Sequence, residues 1–181
     1  MSPLRLRPIG GGAERLFSRQ VRLLLEIEKK VWDVNVLAIF LVEDHPGHSY
    51  VAPVVEKGLR GVYIPIVLDI TPIRVYWILE RRWGIDSRKS RRAIIEFLRR
   101  YKTPRYVPLK KDTIVLSFEL AHNLKHDVYD CVYLAVALQE GAGSILTTDT
   151  DFERLAPAIG IRYENPVPID VLKKFSNHQF Q

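Results

Sequence analysis

The sequence predicts an α/β fold in three layers, with a mostly parallel sheet of four or five strands covered by helices on both faces. Short apolar runs bounded by Gly, Pro or Asp alternate along the chain with segments of helical periodicity. Strands joined through helices form parallel sheets. The length of 181 residues is normal for one domain. We therefore expect a single α/β/α sandwich over residues 31–175, preceded by a tail and a helical extension over residues 1–30.

The first predicted strand covers residues 31–37 and carries an aspartate among apolar neighbours. A loose tail over residues 1–12 and a helix over residues 13–28 are expected before it. A buried carboxylate without a partner is unfavourable, so we interpret Asp33 as a functional acid at the carboxyl end of this strand. The alternative is that Asp33 forms an Asx-turn or caps a helix.

The middle of the chain alternates between helices and strands. One or two short helices are expected over residues 38–58, broken near Pro46, and His45 and His48 beside that break are interpreted as surface residues. Strands are predicted over residues 62–68 and 106–109. Three helices are expected to begin at N-cap residues: Thr71, Ser87 and Asp112.

Four aspartates surround the next helix and strand. Asp127 and Asp130 open a helical run that ends at Gly141, and a short buried strand over residues 144–147 is followed by Asp149 and Asp151. The carboxyl ends of parallel strands meet at one edge of a sheet, where ligands bind. Each acid could instead be a helix cap or a first-turn residue. The convergence of several acids, together with Asp33, predicts an acidic site. A helical turn over residues 149–155, a strand over residues 161–163 and a short helix or irregular tail over residues 169–175 complete the chain.

A cluster of carboxylates requires a cation, because neighbouring carboxylates raise the pKa of one another. Oxygen ligands favour Mg²⁺ or Mn²⁺. The single cysteine, Cys131, lies on an apolar helix face and excludes a disulfide framework and a cysteine zinc site. Divalent ions in an acidic pocket serve phosphoryl chemistry, so the sequence predicts a metal-dependent phosphoryl-transfer or hydrolytic site.

Positive charge is concentrated between residues 81 and 111. This segment holds twelve Lys or Arg against Asp86 and Glu96, a net charge of +10 within a chain of net charge +6. Such a concentration is typical of phosphate-binding surfaces, although a solvated helix face is the alternative. The candidate phosphate contacts are Arg88, Arg91, Arg92, Arg99 and Arg100.

We expect a soluble, cytoplasmic protein, because no apolar run is long enough to span a membrane and the amino terminus lacks a signal-peptide core. The scarcity of Met and Gln and the abundance of Arg, Ile and Tyr favour a heat-adapted source.

Three motifs resemble those of the PIN-domain ribonucleases, the group that includes VapC-type toxins. The resemblance covers about residues 31–166, with Asp33 and Asn35 in WDVNV, Asp130 in VYDCVYLAVA and Asp149 in ILTTDTDF. Asp151 matches a further acidic position. The resemblance implies catalytic residues Asp33, Asp130, Asp149 and Asp151, of which the first three bind Mg²⁺ or Mn²⁺.

The same resemblance implies a reaction and a set of partners. The activity would be endonucleolytic hydrolysis of RNA that leaves a 5′-phosphate, by a protein that forms a homodimer and has an antitoxin partner. Asn35 and Thr147 would lie close to the substrate.

One position departs from the family pattern. Arg74 stands where the family has a glutamate, early in the helix after the second strand, and a guanidinium cannot ligate a cation. Asp69 or Glu80 would have to replace that acid, and we expect weakened cleavage. Two alternatives to a nuclease remain. A degenerate scaffold would bind RNA or a protein without cleavage, and a phosphatase would use Asp33 as nucleophile, although Asn35 stands where such sites have a second aspartate.

Overall fold

A computed structural model describes residues 27–175 and contains one five-stranded sheet in these residues. The strand order is β3-β2-β1-β4-β5, and every neighbouring pair is parallel. The strands are β1 Lys29–Trp32, β2 Ile64–Leu68, β3 Arg105–Val107, β4 Ser144–Leu146 and β5 Arg162–Glu164. The predicted class, a parallel α/β sheet of four or five strands, is confirmed.

Helices connect the strands and cover the sheet. They are α1 Val34–Phe40, α2 His48–Leu59, α3 Thr71–Trp77, α4 Ser87–Arg100, α5 Lys111–Leu124, α6 Val128–Glu140, α7 Phe152–Ala158 and α8 Ile169–Leu172. A π-helical turn, Ile78–Arg82, extends α3. Two separate cores form on the two faces of the sheet. Neighbouring residues of β1 contribute to different cores, Val31 to one and Trp32 to the other, because side chains alternate along a strand. The helices therefore form the two outer layers of a three-layer fold.

The predicted strand over residues 31–37 is wrong in its second half. β1 ends at Trp32, and Asp33 is the N-cap of α1 through a 2.6 Å hydrogen bond that its carboxylate accepts from Val34 N. Val36, Leu37 and their neighbours in α1 are buried. A short apolar run fits a buried strand and a buried helix equally well, so periodicity could not separate them. Asp33 therefore directly follows the strand and caps the helix, as the alternative interpretation predicts.

The three predicted N-caps are also corrected. Ile70 precedes α3 without a side-chain cap, so Thr71 is the first helical residue. Asp86 caps α4 in place of Ser87, because its carboxylate accepts hydrogen bonds from the backbone N–H groups of the second and third helical residues. Lys110 precedes α5, which leaves Asp112 in the first turn.

The prediction that His45 is a surface residue is wrong. Its side chain is 5% exposed and packs against the rings of Trp83 and Phe175. The tail predicted over residues 1–12, and nearly all of the helix predicted over residues 13–28, lie outside the described residues. Within the described part of the chain, no helix is long and apolar enough to cross a membrane.

Candidate functional site

Three carboxylates from separate elements line one cavity of about 250 Å³. Asp33 follows β1, Asp149 follows β4, and β1 and β4 are parallel neighbours. The backbone N–H of Asp33 continues their ladder by donating to the carbonyl of Leu146 at 3.1 Å. Asp130 enters from the first turn of α6. We call this the acid cavity. The structure thus brings together the three acids that the sequence marks as metal ligands.

Thr147 connects two of these acids. Its hydroxyl donates to Asp33 Oδ2 at 2.7 Å and accepts from the backbone N–H of Asp149 at 3.0 Å. Asp33 Oδ1 accepts from Val34 N. Both oxygens of Asp33 therefore have a donor, and the carboxylate is held in one orientation. Thr147 is fully buried and lies behind Asp33, so it is not among the residues that line the cavity.

Burial makes the ionised acids unfavourable. It raises the pKa of Asp33 from 3.8 to about 6, while the hydrogen bonds from Thr147 and Val34 act in the opposite direction and the charges of Asp149 and Asp130 add to the rise. Burial also raises the pKa of Asp130, opposed by its hydrogen bond with His126 and reinforced by the charge of Asp149. Clustered oxygen donors of like charge suit a hard divalent cation such as Mg²⁺ or Mn²⁺. The donor set therefore fits the predicted metal.

His126 is a site residue that the sequence analysis did not identify. Its Nε2 lies 2.7 Å from Asp130 Oδ2 and 3.8 Å from Asp151 Oδ2. Ligand atoms from His126, Asp130 and Asp151 all lie within 4.8 Å of one another, close enough to hold a metal ion. The available signal was the four-residue spacing from His126 to Asp130, which is the spacing of neighbours on a helix.

Asp151 lies at the outer side of the site. It does not line the acid cavity, and its side chain is 62% exposed. Its backbone N–H donates to Asp149 Oδ1 at 3.0 Å. Asp151 thus holds the loop after β4, with its own carboxylate directed towards His126.

Arg74 lines the acid cavity together with the three carboxylates. Its guanidinium carbon lies 4.9 Å from the ring centroid of Trp77 and 5.4 Å from that of Tyr129, so two cation–π contacts hold the charge at the cavity. Among the described residues, neither Asp69 nor Glu80 lines this cavity. Neither of these two positions therefore adds a fourth carboxylate to the acid cavity.

The arginines of α4 lie elsewhere. A groove of about 980 Å³ is lined by Arg88, Arg91, Arg92 and Arg99, together with Lys89, Glu43 and Glu96. We call it the basic groove. None of its arginines lines the acid cavity, where Arg74 and Arg82 are the basic residues within the described chain. Arg100 instead stacks on Tyr101, with 5.4 Å between guanidinium and ring centroid. The basic groove is therefore a surface separate from the acids, whereas Arg82 of the same basic segment lines the acid cavity.

The protein is a parallel α/β/α sandwich, and its carboxylates gather where two neighbouring strands end. It therefore belongs to the class of α/β domains that have an acidic site suited to divalent ions. The family model described as PIN domain matches residues 30–157. The chain belongs to the PIN domain family, as its motifs predict.

Solved structures share this fold. VapC20 from Mycobacterium tuberculosis, a toxin that cleaves the sarcin-ricin loop, has a TM-score of 0.58 at 16% identity, over 74% of this chain and 96% of that one. VapBC2 from Rickettsia felis bound to a DNA fragment from its promoter has a TM-score of 0.57 at 13% identity, over 76% and 98%. A toxin–antitoxin complex from Klebsiella pneumoniae has a TM-score of 0.53 at 19% identity, over 77% and 99%. Comparison with curated proteins finds no match.

Proposed function

We propose that this protein is an endoribonuclease that depends on a divalent metal ion and acts in the cytoplasm as the toxin of a toxin–antitoxin pair. The observation that carries the proposal is the acid cavity, where Asp33, Asp130 and Asp149 converge and where the charges of Asp149 and Asp130 add to the rise in the pKa of Asp33. Membership of the PIN family supports it, because nucleases of this family generally use divalent ions.

The acids would hold the metal, and their neighbours would orient them. Asp33, Asp130 and Asp149 are the proposed ligands of Mg²⁺ or Mn²⁺, which when bound supplies positive charge to polarise a phosphate and activate water. Thr147 fixes the carboxylate of Asp33, and His126 holds that of Asp130. Asp33 has a donor on each oxygen, which disfavours its use as a nucleophile. A phosphatase is therefore the weaker hypothesis.

Asp151 is proposed to contribute from the outer side of the site. Its carboxylate is exposed and lies 3.8 Å from His126 Nε2. Because Asp151 does not line the acid cavity, we do not include it among the proposed metal ligands.

The basic residues would position the RNA. Arg74 lies in the acid cavity on two aromatic rings, and a phosphate that enters the cavity would meet its guanidinium. The basic groove would contact phosphates farther along the strand, as arginines commonly do. Because Arg74 brings a positive charge where a fourth acid would bind metal, we propose that the site holds one ion more readily than two and that cleavage is slow.

Protein partners are proposed on separate grounds. Two of the similar structures contain toxin–antitoxin pairs, which supports an antitoxin partner for this chain. A homodimer is supported by exposed apolar residues on α5: Ile114 is 40%, Val115 52% and Phe118 61% exposed. Apolar surface of this kind is commonly covered by another chain.

Arg74 also favours a second candidate function, a degenerate scaffold that binds RNA or a protein without cleavage. An assay of single-stranded RNA cleavage in Mg²⁺ or Mn²⁺ distinguishes the ribonuclease from the scaffold. It compares the parent protein with the variants Asp33→Asn and Asp130→Asn. The matched control is Asp170→Asn, an exposed acid in α8. The proposed function requires 5′-phosphate products from the parent and the control and none from the site variants. Tight RNA binding by the parent without turnover in either metal would support the scaffold.

A further inference from the structure

A second cavity, of about 350 Å³, lies beside the acid cavity and shares Asn35 and Asp149 with it. We call it the aromatic cavity, because the rings of His45, Trp83 and Phe175 contribute to its wall. Its volume is close to the lower end of small-ligand pockets, about 300 Å³. The two cavities are thus neighbours with a common wall of two residues.

The aromatic wall is fixed by packing. The ring centroid of His45 lies 4.8 Å from that of Trp83 and 4.5 Å from that of Phe175. His45 Nδ1 accepts a 3.0 Å hydrogen bond from Gly47 N. A Cβ at Gly47 would come within 2.7 Å of the Phe175 ring, so this ring lies directly on glycine backbone. A preformed surface of this kind loses little conformational entropy when a ligand binds.

The polar side of the aromatic cavity has hydrogen-bonding capacity that the protein does not use. The side chains of Asn35 and Thr148 line it, and neither makes a hydrogen bond to another residue in the described part of the chain. Thr148 is only 9% exposed. Amide and hydroxyl groups can both donate and accept. Neither of these two groups is sealed from solvent, because the buried side-chain polar atoms without a partner belong to other residues of the described chain. These two side chains therefore point to a ligand with polar edges.

We propose that the aromatic cavity binds the nucleobase next to the phosphate that is cut at the acid cavity, and so selects the base at that position of the RNA. The inference rests on the proposed ribonuclease function. A nucleobase has apolar faces that pack on aromatic rings and polar edges that accept and donate hydrogen bonds. Because Asn35 and Asp149 line both cavities, one nucleotide can place its phosphate among the acids and its base against the rings.

Two side chains would recognise the base. The Asn35 amide and the Thr148 hydroxyl would bond to its polar edge, while the aromatic wall would contact its face. An apolar side chain from a partner protein fits this cavity less well, because it would leave the amide and the hydroxyl without partners. The cavity therefore favours RNA over an apolar peptide.

The test measures binding of short single-stranded RNAs to protein in EDTA, so that cleavage does not interfere. Each RNA lacks the base at one position. We compare the parent, the double variant Asn35→Ala with Thr148→Val, and the control Asn123→Ala. Asn123 is exposed on α5 and lines neither cavity. In the parent and the control, loss of one particular base should weaken binding by about fivefold or more, the lower end for base–aromatic stacking. In the double variant the effect should fall below about twofold, because the polar contacts that seat the base are gone.

Thermal unfolding of each variant checks that the fold is retained. If RNA is bound and cut but no single base matters, the nucleobase subsite is wrong and the ribonuclease proposal stands. Equal sensitivity to base loss in parent and double variant would also overturn the subsite, because the base must then bind elsewhere. If the parent neither binds nor cuts RNA, both proposals fail, and a partner protein becomes the candidate occupant of the cavity.

Discussion

Replacement of Asp33 by asparagine should stabilise the metal-free protein while abolishing cleavage. Asp33 is 4% exposed, and burial is the main cause that raises its pKa from 3.8 to about 6. A rise of about two units corresponds to roughly 3 kcal/mol, at 1.36 kcal/mol for each unit. Because the pKa is raised on folding, this cost is absent below about pH 4, develops as the pH rises to about 6, and is fully present above that.

The asparagine removes the cost of burying a charge, but it accepts hydrogen bonds from its neighbours less well than the carboxylate does. Val34 N and the Thr147 hydroxyl both donate to the carboxylate, and an amide offers only one acceptor oxygen. The mismatch should cost about 1 kcal/mol, whereas the N-cap is retained, because Asn caps a helix as well as Asp does. The net gain is about 2 kcal/mol above about pH 7, or roughly 4 to 8 °C in the unfolding temperature of a chain of this size.

The assay is thermal unfolding in EDTA across this pH range, repeated with Mn²⁺. The variant should unfold at a higher temperature than the parent above about pH 7 and lose that advantage near about pH 4. Mn²⁺ should raise the unfolding temperature of the parent and have little effect on the variant, because a ligand of the ion is lost. The reasoning is refuted if the variant is less stable by the same amount at every pH, or if Mn²⁺ stabilises both proteins equally.

Three further predictions concern charge around the two cavities. Reversal of Arg91 and Arg99 in the basic groove should weaken RNA binding across sequences, and the slope of affinity against salt should fall by roughly one unit for each lost contact. Arg74→Glu should raise Mn²⁺ affinity in a calorimetric titration by about fivefold or more, since removal of a repulsive unit charge near the surface is worth at least about 1 kcal/mol, and should raise the cleavage rate. His126→Ala should lower Mn²⁺ affinity by about tenfold, because partners of metal ligands contribute on that scale. That loss should be greater at acidic pH, because the hydrogen bond from His126 holds down the pKa of Asp130.

Each of these predictions has its own control and its own contrary result. Arg60→Glu reverses an exposed arginine outside the basic groove and should leave the salt slope unchanged. If the slope of affinity against salt is unchanged in the groove variant, the basic groove is a solvated helix face that does not contact RNA phosphates. Lower metal affinity or slower cleavage in Arg74→Glu would contradict the proposed repulsion. A metal affinity of His126→Ala that matches the parent at acidic and neutral pH would mean that the pair with Asp130 has no part in metal binding.

The parallel fold and the proposed ligand set follow from local patterns in the sequence. Alternating apolar runs and helical segments predict the parallel sheet, and parallel strands all end at the same edge. Acids that follow two such strands, Asp33 and Asp149, are therefore expected to meet before any distance is known. The family motifs depend on the same short spacings, which is why the PIN family could be recognised from sequence and is confirmed by the family model. Heat adaptation and cytoplasmic location stay predictions from composition.

Tertiary structure decided the features that depend on residues far apart in the chain. The hydrogen bond from Thr147 to Asp33 spans 114 positions, and the raised pKa of Asp33 comes mainly from burial under elements that follow it. Whether residues 34–37 form strand or helix was decided by packing, since an apolar run fits both. The pairing of His126 with Asp130, the two rings on Arg74 and the burial of His45 likewise follow from packing between elements. Local sequence constrains the backbone of a few neighbouring residues, whereas burial, charge proximity and cavity shape arise only when separate elements pack together.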